Sequence, residues 1–148
     1  MIDRLQEKDI DQVAQIEAEI FSVPWSIKSF KDALASEQNI YLKAETDGQI
    51  VGYCGIWTSF DSAELCNIAV KKEFRKAGLG QKLLEAGIQA AAAKGVERIL
   101  LEVRQSNKAA IRLYEKNGFQ TIGLRKSYYT KPVEDAILME RFIRKMAE

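Results

Sequence analysis

The chain has 148 residues, 47% of them hydrophobic and 29% charged, which is the size and balance of one globular domain with its own core. It contains no histidine, which excludes His-based triads, His general bases and His metal ligands and leaves Glu, Asp, Lys, Tyr and Cys for proton chemistry. The net charge of +1 hides an asymmetry: residues 1–70 carry 5 Lys+Arg against 12 Asp+Glu (−7), and the remainder carries 17 against 9 (+8). Such a division suits a cationic ligand at one end and an anionic one at the other, or is chance segregation of solvated charges.

Met1 to Leu5 alternates as a short strand. Asp9 and Gln12 stand where a capping box starts a helix, and Ile10, Val13, Glu17, Ile20 and Phe21 form a stripe over residues 9–21 with Glu17 as its polar member. Pro24 ends this helix, and Ser26 caps a second one carrying Ile27, Phe30 and Leu34 on one face. Strand periodicity then runs through Ile40 to Glu45, a turn at Asp47-Gly48, Ile50 to Trp57, a turn at Ser59 to Ser62, and Glu64 to Val70. A turn centred on Phe60 would set Cys54 opposite Cys66.

A helix follows from Leu79 through Ala93 with Lys94-Gly95 as its stop, then an apolar strand from Ile99 to Val103. Asn107 caps a helix to Asn117, closed by Gly118, and two strands, Gln120 to Tyr128 and Asp135 to Phe142, flank a Lys131-Pro132 turn. The order predicts a single-domain α/β chain, residues 1–148, with a mixed, mostly antiparallel seven-stranded sheet and about four helices. No signal peptide or run of 18 apolar residues is present, so the cytoplasm is the expected location. The two cysteines lack metal or redox spacing and are expected reduced and buried.

Gly78-Leu79-Gly80 resembles the start of a dinucleotide fingerprint, but Leu83 stands where its third glycine belongs and the preceding unit is a meander. The P-loop pattern is absent too. What remains is a strand end, Asn67-Ile68-Ala69-Val70, running through basic residues, Arg75 and Lys76 among them, into Ala77, Gly78, Leu79, Gly80 and Gln81 at a helix start. Free N–H groups and the positive dipole end converge there, and glycines admit a phosphate close to the backbone. The alternative is an exposed loop with solvated lysines.

Arg75-x-x-Gly78-x-Gly80 after Asn-Ile-Ala-Val resembles the signature of the GNAT N-acetyltransferases. Leu101-Glu102-Val103-Arg104-x-Ser106-Asn107, Ala109-Ala110-Ile111-x-Leu113-Tyr114-Glu115, Gly118-Phe119, Tyr128-Tyr129, Glu134-Asp135-Ala136-Ile137 and Pro24-Trp25-Ser26 are similar to the ribosomal-protein-alanine N-acetyltransferase (RimI) subfamily over nearly the whole chain. The resemblance implies a GNAT fold with a splayed central strand pair. It also implies acetyl-CoA bound with its pyrophosphate on Arg75 to Gly80, its arm along Ile68-Ala69-Val70, and Asn107 contacting it. A backbone N–H freed by the splay would stabilise the oxyanion.

Direct attack of an amine on a thioester needs a base and an acid but no enzyme nucleophile. Glu102 lies in an apolar strand that would raise a carboxylate's pKa, or is a strand-end Glu facing water; Tyr114 by its spacing is a core aromatic. The resemblance implies Glu102 as proton acceptor, directly or through water, and Tyr114 as donor to the CoA thiolate. A phenol of reference pKa ~10 exceeds a thiol at ~8.5. An acyl-enzyme on Cys54 or Cys66 lacks a His activator.

An α-amine of pKa ~7.7 to 8.0 suits a mild base better than a lysine at ~10.4. Phe21, Trp25, Tyr128 and Tyr129 could wall the entrance for a peptide N-terminus, with core packing the competing account, above all for Phe21. The acceptor implied is the N-terminal alanine of a small-subunit ribosomal protein, a basic partner that suits the acidic first half, with neither direct nucleic-acid contact nor membrane attachment. Where the family often has Asn-Tyr-Tyr-Pro, this chain has Ser127-Tyr128-Tyr129-Thr130 with its proline at Pro132. That departure leaves three acceptors open: the ribosomal protein, a wider set of N-termini, or a small amine. A lysine acceptor and a non-catalytic acyl-CoA-binding module are the remaining alternatives.

Overall fold

Seven strands form one mixed sheet in the computed structural model of the chain, which describes residues 1–75 and 77–143. In chain order these are β1 (Ile2–Arg4), α1 (Ile10–Ile20), α2 (Ile27–Leu34), β2 (Asn39–Thr46), β3 (Gln49–Ser59), β4 (Ser62–Val70), α3 (Leu79–Ala93), β5 (Arg98–Arg104), α4 (Lys108–Lys116), β6 (Gln120–Thr130) and β7 (Val133–Phe142). Short 3-10 turns precede α1 at Glu7–Asp9 and α3 at Lys72–Phe74. The sheet order is β1-β2-β3-β4-β5-β7-β6, antiparallel throughout except for the β4–β5 pair.

Turn chemistry sets most of the boundaries. Asp47 and Gly48 both have positive φ (53° and 76°), the conformation a two-residue hairpin requires. Ser26 Oγ accepts from the Ser29 N–H (3.1 Å) and Asn107 Oδ1 from the Ala110 N–H (3.2 Å), so both predicted caps form. The start of α1 differs from the sequence reading. Asp9 does not cap it but closes the preceding turn, accepting from the Gln6 N–H (2.8 Å) and, on the same oxygen, from Lys43 Nζ of β2 (2.8 Å). Gln12, expected to complete the box, accepts instead from the Ile50 N–H of β3 (3.3 Å).

Alternation along the strands divides the core in two. Leu42, Val51, Ile56, Leu65, Leu101 and Val103 face α3 and α4. Tyr41, Ile50, Tyr53 and Ala69 face α1 and α2, whose Ile10, Val13, Ile16 and Phe30 are fully buried. Gly87 lets α3 lie close on β3, because a Cβ there would sit 2.8 Å from Ile56 Cδ1. Leu83 and Leu84 beside it are buried, each worth about 1.5–3 kcal/mol.

The second hairpin departs from symmetry. Its turn is Phe60-Asp61, and the register shifts between Gly55 and Ile56, so Cys54 pairs with Ile68 while Cys66 falls in the bulge. The facing cysteine pair expected from a turn centred on Phe60 is therefore not formed; Cys54 is buried and Cys66 half-buried, both free. The extra residue puts Cys66 and Asn67 on one face, that of α1 and α2.

The Asp9–Lys43 pair is buried on both sides, at 4% and 5% exposure. Burial alone would raise the Asp9 carboxyl, but the bonds from Lys43 and the Gln6 N–H bring it below its ordinary value; the bond to Asp9 raises Lys43. The Asp9 contribution is present above the usual carboxylate pKa and is lost as pH falls through the depressed folded value, whereas that of Lys43 is lost only as pH rises through its elevated one. Lys43→Met should cost about 3 kcal/mol in urea denaturation at pH 7. The deficit should shrink in acid, where Asp9 is neutral in both proteins, and a deficit independent of pH would show that the pair is not its source.

Candidate active site

The parallel β4–β5 ladder runs from Ser62↔Arg98 to Leu65↔Leu101 and stops. Beyond it β4 continues through Cys66 to Val70 paired only with β3, and β5 continues through Glu102 to Arg104 paired only with β7. The bulge at Cys66 coincides with the point of separation. The central strands thus splay, as the resemblance implied, and the chemistry-bearing side chains gather around the opening.

Glu102 lies one residue past the last rung, between Leu101 and Val103, which face α3 and α4; it therefore faces the other way. Its Oε2 has no hydrogen-bond partner, and Arg125 Nε of β6 stands 3.8 Å from it, beyond hydrogen-bond reach. Glu64 of β4 is on the same face, and partial burial followed by the Glu102 charge raises its carboxyl. Tyr114, on α4, is buried on the opposite face at 6% exposure, its ring edge-on to Phe119 at 5.8 Å between centroids. Burial, then the Cys54 and Tyr129 groups, raise its phenol well above the ordinary value. The predicted base and acid accordingly stand on opposite faces of the sheet, near the point where β4 and β5 part.

At one end of the opening lies the α3 N-terminus. Gly78 caps it at φ +78°, a conformation that selects glycine. Gly80 is different: a Cβ there would meet only Leu113 at 3.6 Å, so packing does not require glycine and the space above the first turn stays open. No side chain caps this helix, which leaves its first N–H groups for an anion. Arg75 is exposed, its Nε bonded to the Val70 carbonyl (3.0 Å), which anchors it at the β4 end. Gln81, expected at the cofactor, uses its side chain otherwise, exchanging bonds with Asn117 (2.8 Å each way) and donating to Glu85, so only its backbone faces the cradle. Asn107 uses Oδ1 as a cap. Lys76 lies outside the described residues. These groups, with the free edge of Ile68, Ala69 and Val70, fit a phosphorylated carrier with a long extended arm.

The aromatic residues divide. Three residues of β6, Lys126-Ser127-Tyr128, oppose Asp135 alone, since Arg125 pairs with Ala136 and Tyr129 with Glu134. Ser127 has φ 51° and its N–H bonds Asp135 Oδ1 (2.8 Å). This bulge brings Tyr128 to Glu102, so that burial and then the Glu102 charge raise its phenol. Tyr129 packs edge-on to Tyr128 (5.1 Å) and lies under the Arg104 guanidinium (4.3 Å). Arg104 also binds the Lys131 and Pro132 carbonyls and Glu134, whose other oxygen accepts from the Ser106 N–H. Trp25 instead packs on Phe30 (5.3 Å) and Trp57 (5.8 Å) in the α1–α2 core, and Phe21 is exposed at the end of α1. Among the described residues no ring contact joins Trp25 or Phe21 to the tyrosines.

Two groups escaped sequence reasoning. Glu17 is buried at 3% exposure; it accepts from the Trp25 N–H (3.0 Å) and from the Tyr53 hydroxyl. Its signal was present as the polar member of an apolar stripe. Asn67 is the other, buried with an unpartnered Oδ1.

Residues 10–119 match the model of the Acetyltransferase (GNAT) family. The chain belongs to that family and is an acyltransferase. A Bacillus subtilis (strain 168) relative, 44% identical over 133 residues covering 89% of this chain and 88% of its own, is provisionally named a [ribosomal protein bS18]-alanine N-acetyltransferase. The crystal structure of the Escherichia coli ribosomal-protein-S18-alanine N-acetyltransferase superposes with a TM-score of 0.91 at 36% identity, covering 100% of this chain and 96% of that one. The fold is also shared, at a TM-score of 0.76, 21% identity and 97% coverage of both chains, by a GNAT acetyltransferase from Elizabethkingia anophelis whose structure holds acetyl-CoA. No helix among the described residues is long and apolar enough to cross a membrane.

Burial pushes both thiols up to about 12, with Cys66 contributing further to Cys54, and Glu64 and then Glu102 to Cys66. A thiol raised from 9.0 to about 12 holds about a thousandfold less thiolate at neutral pH. Iodoacetamide at pH 7.5 should therefore label the native protein about a thousandfold more slowly than the urea-unfolded chain. Rapid labelling of Cys66 in the native state would reinstate a thiol nucleophile.

Proposed function

We propose that this GNAT chain transfers the acetyl group of acetyl-CoA to the N-terminal α-amine of a protein, and that its acceptor is the N-terminal alanine of a small-subunit ribosomal protein. The observation that carries the reading is the splay itself, with an unpartnered carboxylate oxygen of Glu102 on one face and the Tyr114 phenol on the other. The names of the two relatives more than 30% identical support the choice of acceptor.

In this reading the first turn of α3, from Gly78 to Gln81, with Arg75 and Lys76 holds the pyrophosphate, and the edge of Ile68, Ala69 and Val70 pairs with the pantetheine arm. Ala77 and Asn107 line the path. Acetyl-CoA supplies the thioester whose carbonyl carbon the amine attacks. Glu102 takes the proton from the amine nitrogen, directly or through one water. A backbone N–H of β4 that has lost its β5 partner faces the developing negative oxygen, preorganised because the sheet fixes it. Tyr114 gives its hydroxyl proton to the sulfur. Its elevated pKa keeps that proton in place until it is needed, and the departing thiolate is destabilised by the same apolar surroundings, so the two proton affinities rise together.

Tyr128 and Tyr129 wall the acceptor's approach beside Glu102, and Trp25, held by Glu17, closes the α1–α2 side. A small open site lined by carboxylates suits an amine already partly neutral near pH 7. A basic partner is drawn to the acidic first half.

Acetyl-CoA should be consumed with an Ala-starting basic peptide but not with the same peptide N-terminally blocked and containing lysine, nor with polyamines, as read by product mass. Modification of the blocked peptide alone would overturn the α-amine reading. Glu102→Gln should lower kcat by about 10²- to 10⁴-fold with the acetyl-CoA KM within about twofold. Arg75→Ala should do the converse, raising that KM with kcat little changed. Unaltered kcat in Glu102→Gln would remove Glu102 from the reaction.

A further inference from the structure

Asn67 stands two residues beyond the last β4–β5 rung, on the Glu102 face, beside the bulged Cys66. It is 6% exposed, and its Oδ1 makes no hydrogen bond. A buried carbonyl oxygen left this way costs free energy unless a donor arrives.

Behind it lies a chain of hydrogen bonds that begins at α1 and ends at Tyr53. The Tyr53 hydroxyl donates a hydrogen bond to the buried Glu17 carboxylate, which also accepts from the Trp25 N–H. With that proton committed, the Tyr53 oxygen is left as an acceptor beside the Asn67 side chain, whose proximity offsets part of the rise in the Tyr53 phenol. Only the Nδ2 end of an amide can donate, so an amide that serves the Tyr53 oxygen presents Nδ2 to it and leaves Oδ1 free. Glu102 Oε2, on the same face at the same opening, is also without a hydrogen bond. Two buried acceptors at the point where the sheet separates, one of them facing only Arg125 at 3.8 Å, suit a ligand that brings at least two N–H or O–H donors on a small head, and a primary amine is such a group.

We propose that Asn67 Oδ1 is the acceptor that orients the incoming α-amine: it takes one N–H while Glu102 takes another, which directs the nitrogen lone pair along the opening. The proposal rests on the α-amine reading above and adds to it a specific binding residue. It also gives Glu17 and Tyr53 a purpose, since they keep the amide from flipping its donor end toward the ammonium.

The test compares binding of an Ala-starting basic peptide with its propionyl counterpart, which lacks only the amine, to the protein saturated with CoA. Wild type should hold the Ala peptide about tenfold more tightly or better. Asn67→Ala should lose most of that preference, keeping only what Glu102 alone supplies, while its CoA affinity and melting temperature show the fold intact. Asn67→Asp, close in shape, decides the matter if the alanine variant does not fold. Its carboxylate should hold the Ala peptide at least as tightly but keep the amine protonated, so its turnover should be low at pH 7 and recover as pH rises.

Wild-type discrimination that persists unchanged in Asn67→Ala, or an Asn67→Asp pH profile identical to wild type, would overturn the proposal and leave the α-amine reading standing. Failure of the wild type itself to distinguish the two peptides would overturn both.

Discussion

Everything at this site depends on the failure of β4 and β5 to pair beyond Leu65 and Leu101. A parallel ladder continued to Val70 and Arg104 would close the sheet between the faces that carry Glu102 and Tyr114. The inserted residue in β4 prevents this. It twists the strand away, turns Asn67 toward the α1–α2 face, and leaves the backbone edge of Ile68 to Val70 free. The costs of that separation, unpaired strand edges and two orphaned acceptors, are the features a substrate can relieve.

The surroundings brace the opening from both sides. On one side Gln81 and Asn117 lock α3 to the end of α4, keeping the helix start and Tyr114 in fixed relation. On the other, Glu17 ties the α1–α2 connection to Tyr53. Arg104 and Glu134 clasp the β6–β7 tip to the loop after β5, which seats Tyr129 and, through the neighbouring bulge, Tyr128 near Glu102. Arg104, Ser106 and Glu134 thus serve to hold the β6–β7 tip against the loop after β5.

Much of the fold was legible because its boundaries are set by local chemistry. Asp47-Gly48, Ser26, Asn107, Gly95 and Gly118 each impose a conformation that neighbouring residues cannot override, and alternation assigned the strands. What could not be read was register. Whether Cys66 opposes Cys54 depends on one extra residue in a hairpin, and no side chain in Glu64 to Val70 announces it. The Asp9 reading failed for a related reason: a carboxylate suited to capping was taken by a buried lysine 34 residues away, a partner that only the folded sheet supplies. For Glu102 and Tyr114 the types and neighbours were visible, but their placement on opposite faces of a gap follows from the splay. The near-neutral net charge conceals a local separation, with Arg75 ahead of α3 and the carboxylates Glu64 and Glu102 on the α1–α2 face of the sheet.

The central claim is that the reaction takes place across the gap between β4 and β5. A crystal structure of the protein with a conjugate joining CoA through its sulfur to the α-nitrogen of an Ala-starting peptide tests it directly. The account predicts the sulfur between the Ile68–Val70 edge and β5, with Tyr114 on its side and the nitrogen within hydrogen-bond reach of Glu102. A conjugate lying wholly on one face of the sheet, with the gap closed or empty, would contradict it.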